Sequence, residues 1–369
     1  MTDTAIKKGS ILTYRVFDIA EEVDLAAVER ILKQTSGGTR LSITRSPRNA
    51  LVMRNAPVQL SLGEATIRLK DQTVTAEVSA KIYDYGALSI VFQIALQPGT
   101  KWSQLIPLGA VLNGDVPGAE ELDAVARAKA QELLETFRGA LKSASLWPVF
   151  EDYTIYFFES LEGPDKLIEL VKSGKVPELI LGEAQEKLAP KSRDAILENV
   201  FQYAENDLCV IDWNSAIVIE PTGIRDIPDV IEFALTHLLE FRYYDEVLDD
   251  RLASLYDAIE EKRGETLKSN FGRLHREANT RFLEFSEFLE RIDNSFKVVG
   301  DFYVAVIYRA ALRRFRIHDW QQSITRKMGA LSRVSQVLQS EVNVYRGHLL
   351  EIIIILLILF ETIQAIFKR

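Results

Sequence analysis

Apolar residues recur along this chain with two different periods, and the change from one to the other separates a first part from a last part. In the first part the period is two. Val78, Ala80 and Ile82 alternate with polar partners up to Asp84-Tyr85-Gly86, and Leu88, Ile90, Phe92, Ile94 and Leu96 alternate down to Gln97-Pro98-Gly99. Such alternation predicts two half-buried antiparallel strands joined by a tight turn. Further strands are expected at Leu12 to Ile19, Arg40 to Thr44, Val58 to Leu62, Ala65 to Leu69 and Tyr153 to Phe158. Asp24 caps a helix that Gly37-Gly38 ends, and a second helix runs from Ala119 to Lys142 with Leu122, Val125, Leu133, Phe137 and Leu141 on one stripe.

This order predicts an α+β fold with an N-terminal mixed sheet and helices over residues 1–160, similar to a ferredoxin-like split βαβ with an insertion. Residues 161–221 form a second small α/β segment that completes the head. In it Pro164-Asp165 opens a helix, Ser192 caps another towards Tyr203, and Leu208 to Ile211 and Ala216 to Ile219 make a hairpin across Asp212-Trp213-Asn214-Ser215. From residue 222 to 316 the chain is read as helical, with Asp226 as a cap and Pro228 in the first turn of a helix that Gly264 ends.

A single long helix is expected from 317 to 369. Ile317, Ile324, Leu331, Leu338, Tyr345, Ile352, Leu359 and Ile366 recur every seven residues, and Met328, Val342, Leu349, Leu356 and Ile363 fill positions four further on. Over roughly 50 residues this stripe would be about 75 Å long. Lys327, Glu341 and His348 interrupt the second seam, so a simple two-stranded zipper is poorly specified in the middle, and packing on neighbouring helices accounts better for the first half.

The second half of the helix is different material. Ile352, Ile353, Ile354, Ile355, Leu356, Leu357, Ile358, Leu359 and Phe360 are consecutive, and with Leu349, Leu350, Ile363, Ile366 and Phe367 they leave only Glu351, Glu361, Thr362 and Gln364 as polar members of the window 349–367. At about 28 Å the window matches the hydrocarbon thickness of a bilayer. Its nine-residue apolar run gains about 3 to 5 kcal/mol on insertion, against roughly 2.5 to 3.5 for one embedded carboxylate. A membrane anchor is therefore expected there, with a buried oligomerisation helix and an in-plane interfacial helix as alternatives.

Composition narrows the class. An apolar fraction of 47% over 369 residues supports real cores. The one cysteine, Cys209, sits in an apolar stretch, which excludes a disulfide framework and predicts an inert buried thiol. The N-terminus carries neither a signal-peptide core nor an import helix, so a cytoplasmic head is expected. A net charge of −9 argues against a general nucleic-acid binder. That charge is unevenly spread: residues 220–265 hold 13 acidic and 5 basic side chains, and residues 305–346 hold 8 basic and 2 acidic. Either the two helices pair their charges, or the basic segment is drawn to anionic head groups.

None of the patterns GxGxxG, GxxxxGK[ST], HExxH, GxSxG or CxxC occurs. No cofactor and no catalytic residue is expected. His237 and Glu240 share a helix face as two metal ligands would, but an acidic helix is more often a solvated face. Asp207, Asp212 and Asn214 could gather oxygens around a loop, yet such residues more often close a turn on their own backbone. Arg309, Arg313 and Arg316, spaced i, i+4 and i+7, are candidates to contact lipid or RNA phosphate together.

The run Leu350-Glu351-Ile352-Ile353-Ile354-Ile355 followed by Phe360-Glu361 at the end of a long helix resembles the closing signature of the "required for meiotic nuclear division" proteins, a domain-of-unknown-function family. Tyr83-Asp84-Tyr85-Gly86-Ala87-Leu88-Ser89-Ile90-Val91-Phe92 is similar to that family's aromatic-Tyr-Gly strand turn, and Leu239-Glu240-Phe241-Arg242-Tyr243-Tyr244-Asp245-Glu246 to a central helix. The chain departs from the family in the middle, where its histidine region does not register on His237, so no functional residue is carried over. The resemblance implies a membrane-associated, non-catalytic protein whose eukaryotic relatives support organellar translation. For this chain it implies a bacterial inner-membrane scaffold or adaptor with a cytoplasmic head. Its expected partners are the lipid bilayer, a second copy through the C-terminal helix, and a protein or ribonucleoprotein.

Overall fold

In the computed structural model, which describes residues 4–35, 42–43, 55–162, 167–183, 189–261, 276, 279–280, 282–283, 285–287, 289–290 and 302–367, the alternating runs become strands of one sheet. Strand β1 (Ala5–Asp18) is its centre, flanked by β6 (Ala87–Ala95) and β9 (Phe150–Glu162), both antiparallel to it. Beyond β6 lie β5 (Gln72–Ile82) and β4 (Val58–Leu69), and at the edge β3 (Ser42–Ile43). With helix α1 (Leu25–Thr35) after β1 and helices α2 (Trp102–Leu112) and α3 (Glu120–Phe137) between β6 and β9, the order β9-β1-β6-β5 is ferredoxin-like. Strands β3 and β4 are the insertion, and the short strand β7 (Thr100–Lys101) pairs with β1.

The segment after β9 extends the sheet. Strand β12 (Ser215–Ile219) lies parallel to β9, β11 (Leu208–Ile211) returns antiparallel to it, and β10 (Val200–Phe201) closes that edge. Helices α4 (Leu167–Lys172), α5 (Lys175–Leu181) and α6 (Pro190–Leu197) come between. The helix expected from Ser192 towards Tyr203 instead starts with Pro190 at its first position and gives way to β10. Gly37-Gly38, Pro164-Asp165 and Gly264 fall outside the described residues.

Three further differences have local causes. The runs at Val58 to Leu62 and Ala65 to Leu69 are one strand, bent where Gly63 takes φ 76° and the register against β5 shifts between Ser61 and Glu64. Helix α2 has no counterpart in the sequence reading; it holds Pro107 inside it, and seven of its residues, among them Trp102, Leu105, Ile106 and Leu112, are buried, packing that outweighs one lost backbone bond. Helix α3 stops at Phe137 rather than Lys142, since Leu141–Lys142 (β8) pairs with Glu22–Val23 (β2) and Ala140 C=O accepts the Asp24 amide at 2.9 Å.

One sheet face carries Ile11, Phe17, Leu88, Ile90 and Phe92 into the core with the helices α1 to α6. The other face meets helix α7 (Asp226–Glu261), through its first turns, and helix α8 (Phe302–Arg314). Both faces of the central strands are thus buried, and all positions of β1 from Ser10 to Asp18 are inaccessible.

By compactness the chain divides into Met1–Tyr243 with Ile292–His318, and Tyr244–Arg291 with Asp319–Arg369. The second unit contains most of the 51-residue helix α9 (Ile317–Phe367). In it Ile324 and Leu331 of the seven-residue stripe are buried, and Lys327 pairs with Asp245 at 2.8 Å and Asp249 at 2.6 Å. Opposite charges on the acidic and basic segments do meet at these residues. Further along α9, Gly347–Gln364 is long and apolar enough to cross a membrane, and none of it is buried.

Candidate functional site

Helix α7 begins at Asp226 and turns its polar residues towards the sheet. Asp229 and Glu232 both reach Lys81 of β5, whose Nζ stands 2.9 Å from Asp229 Oδ1 and 2.6 Å from Glu232 Oε2. Burial alone would lower the Lys81 ammonium, but the two carboxylates outweigh it and hold it above its ordinary range, while burial raises Glu232. One turn on, the Thr236 hydroxyl donates to Phe233 C=O at 2.7 Å, so the Tyr85 hydroxyl, 2.6 Å away, donates to Thr236.

His237 follows, fully buried, with Nδ1 sharing a 3.0 Å hydrogen bond with the Tyr308 hydroxyl of α8. Its ring meets Phe233 edge-on at 4.4 Å and lies 5.9 Å from Tyr85. Burial lowers the imidazole to about 3, so it is neutral at physiological pH. Glu240 hydrogen-bonds the Asp18 carboxyl, which burial raises, with Glu21 adding to the rise. Two carboxyl groups can share a hydrogen bond only if one is protonated. Farther along α7, Arg242 pairs with Glu151 of β9, whose carboxyl burial lifts to about 7 against the pull of the guanidinium.

Chemically this layer fastens α7 to the sheet side through Lys81, Tyr85, Asp18 and Glu151, and to α8 through the bond between His237 and Tyr308. His237 and Glu240 lie on one helix face as the sequence suggests, but they turn to different partners, Tyr308 and Asp18. No group of three or more His, Cys, Asp or Glu side chains suited to a metal ion occurs among the described residues. Lys81, Tyr85, Asp18, Glu151 and Tyr308 escaped the sequence reading. Only the Tyr83-Asp84-Tyr85-Gly86 turn gave a hint: both tyrosines are buried against α7, and Gly86, at φ 106°, passes so close to Ala20 C=O that any Cβ would stand 1.7 Å from it.

The other candidates sit elsewhere. Asp207 accepts the backbone amides of Tyr203 and Ala204 at 2.7 and 2.9 Å, closing its own turn. Asp212 is buried and receives Arg314 Nε of α8 at 2.6 Å. Cys209 is buried in β11, where burial pushes its thiol up and leaves it unreactive. Arg309 and Arg313 are exposed on α8 and make no ion pair among the described residues. Arg316 does not continue their face: the helix breaks before α9, and Arg316 takes the left-handed conformation with φ 56°.

The apolar segment is the second candidate. Leu350, Ile352, Ile355, Leu357, Ile358 and Phe360 are each more than half exposed, and Leu349, Ile353 and Ile363 little less so. Since nine consecutive apolar residues at 100° intervals cover every direction, α9 has no polar side from Ile352 to Phe360.

Sequence comparison matches residues 8–226 to the family described as "Uncharacterized protein MJ0711, N-terminal domain". The chain belongs to this family. It is also similar to the uncharacterized protein MJ0711 of Methanocaldococcus jannaschii, 25% identical over 239 residues that cover 64% of this chain and 73% of the relative. The matched region ends as α7 begins, so it takes in nearly the whole sheet and none of α9.

Proposed function

We propose that this chain is a non-catalytic protein anchored in a membrane by the end of α9, with its α+β head on the cytoplasmic side as a scaffold or adaptor for another macromolecule. The observation that carries this reading is the uncovered apolar cylinder at Gly347–Gln364. A bundle helix needs an apolar stripe; one apolar all round needs lipid or burial on every side. The resemblance of its closing motif to the "required for meiotic nuclear division" proteins, which are membrane-associated, supports the same reading, and their tie to organellar translation makes a ribonucleoprotein a candidate partner. The basic residues preceding the segment support a cytoplasmic head.

The test is flotation of the intact protein with vesicles of phosphatidylcholine. Protein that floats, and that deletion of residues 349–369 leaves at the bottom of the gradient, supports the anchor. A soluble, monodisperse oligomer that the same deletion converts to monomer replaces this reading with that of a bundle core, which the seven-residue stripe from Ile317 to Ile366 would also serve.

A further inference from the structure

The residues from Phe302 to Ile317 include four arginines and no acid, in a chain whose net charge is −9. One of the four is internal to the fold: Arg314 gives its guanidinium to buried Asp212, in the link between β11 and β12. That pair ties the link to the end of α8. The Tyr153 hydroxyl, within 2.9 Å of Asp212 C=O and 2.8 Å of Ser215 C=O, bridges it from below, and the Tyr153 ring meets Phe315 edge-on at 5.3 Å. On this braced link Trp213 projects into solvent with 61% of its surface exposed. A large indole held out by a rigid turn at the end of a helix that shows Arg309 and Arg313 to solvent combines an apolar wedge with cations.

We propose that Trp213, Arg309 and Arg313 form a docking surface for an anionic lipid headgroup layer. The proposal rests on the membrane reading above and adds the lipid class the head selects. Tryptophan is the side chain that settles at the boundary of headgroup and acyl chain, and arginine gains about 1 kcal/mol there from anionic lipid. With acidic residues prevailing elsewhere, an anionic surface repels most of the head and attracts this patch. A single-stranded polynucleotide fits less well, because it needs a run of aromatic platforms along a basic groove and the link offers one indole.

The experiment uses the full-length protein with vesicles of phosphatidylcholine alone and with phosphatidylglycerol added. Binding to the neutral vesicles reads the anchor, and the ratio of anionic to neutral partitioning reads the patch. The ratio is expected to fall roughly 30-fold in the Arg309→Gln, Arg313→Gln double variant, as two arginines at about 1 kcal/mol each require. It should also collapse in high salt, and brominated anionic lipid should quench an emission component that Trp213→Phe removes. Arg314 is kept, so the thermal melt should not move. A ratio near one in the parent protein, or a ratio the double variant leaves unchanged, overturns the proposal, as does a patch that binds polyuridylate and ignores phosphatidylglycerol. Failure on neutral vesicles with an intact anionic gain rejects the anchor and keeps the patch.

Discussion

Lys81 Nζ lies 2.6 Å from Glu232 Oε2, across 151 residues of chain, with the lysine side chain 13% and the glutamate 1% exposed. The pair, with Asp229 beside it, fixes the start of α7 to the outer half of the sheet. Lys81→Ala would leave two carboxylates facing a dry strand without their cation. Removing one partner of a buried pair typically costs about 3 to 5 kcal/mol, and a loss of that size is expected in urea unfolding. Adding Glu232→Gln to Lys81→Ala should restore part of it. A double variant as unstable as the sum of the two singles would mean that the pair is not coupled.

Glu151 sets a pH dependence. Its carboxyl is raised in the folded state to about 7 from an ordinary 4.5, so the folded protein holds this proton more tightly than the unfolded chain does. Stability from this group is therefore full below pH 4.5, declines as pH rises, and levels off above 7 with a loss of roughly 3 kcal/mol. Asp18, raised in the same direction, adds to the slope. Unfolding midpoints should be higher at pH 5 than at pH 8, and Glu151→Gln should flatten the difference. An unchanged slope in that variant would assign the pH dependence elsewhere.

His237 is expected to stay neutral throughout the range in which histidines ordinarily titrate, because burial lowers it to about 3. Its ring proton resonances should not shift between pH 8 and pH 5. Stoichiometric zinc or manganese lost with His237→Ala would contradict the hydrogen bond to Tyr308 as the resting role of Nδ1.

Much of the fold was legible because strands that bury one face alternate, as Val78 to Ile82 and Leu88 to Ile94 do. The polar layer was not. Lys81, Ser89 and Tyr14 occupy what alternation marks as the solvent side, and nothing local reveals that α7, more than 130 residues later, covers it. Arg316 was misplaced for a related reason: its spacing from Arg309 is helical in sequence, but Phe315 and Ile317 both turn inward, and one residue in the left-handed conformation between them breaks the helix. The apolar end of α9 could be read directly, since a run with no polar side looks the same in sequence and in structure.

The Tyr83-Asp84-Tyr85-Gly86 turn supplies a backbone test. Gly86 combines φ 106° with an approach to Ala20 C=O that admits no Cβ, and Ile19 N donates to Gly86 C=O at 3.1 Å. Gly86→Ala must move the turn or the strand, and a loss on the order of 3 kcal/mol or more is expected in thermal or urea unfolding. Gly139→Ala, where a Cβ meets nothing within 4 Å, is the matched control and should change little.

The two acids that bound the apolar run decide how α9 meets a bilayer. Glu351 and Glu361 are ten residues apart, about 15 Å along a helix, which is half of a hydrocarbon core about 30 Å thick. In a helix that spans upright, at least one of them must lie inside. A carboxylate near the centre costs about 2.5 to 3.5 kcal/mol on the insertion scale and leucine returns about 0.5, so Glu361→Leu should favour spanning by up to roughly 3 to 4 kcal/mol. The carbonate-resistant fraction should therefore rise, and Glu361→Lys, which exchanges one charge for another of about the same cost, should leave it nearly unchanged. A helix lying in the interface plane would keep both acids in water, and Glu361→Leu would then leave protease protection of the C-terminus unchanged. That result would reject the spanning geometry while leaving membrane association in place.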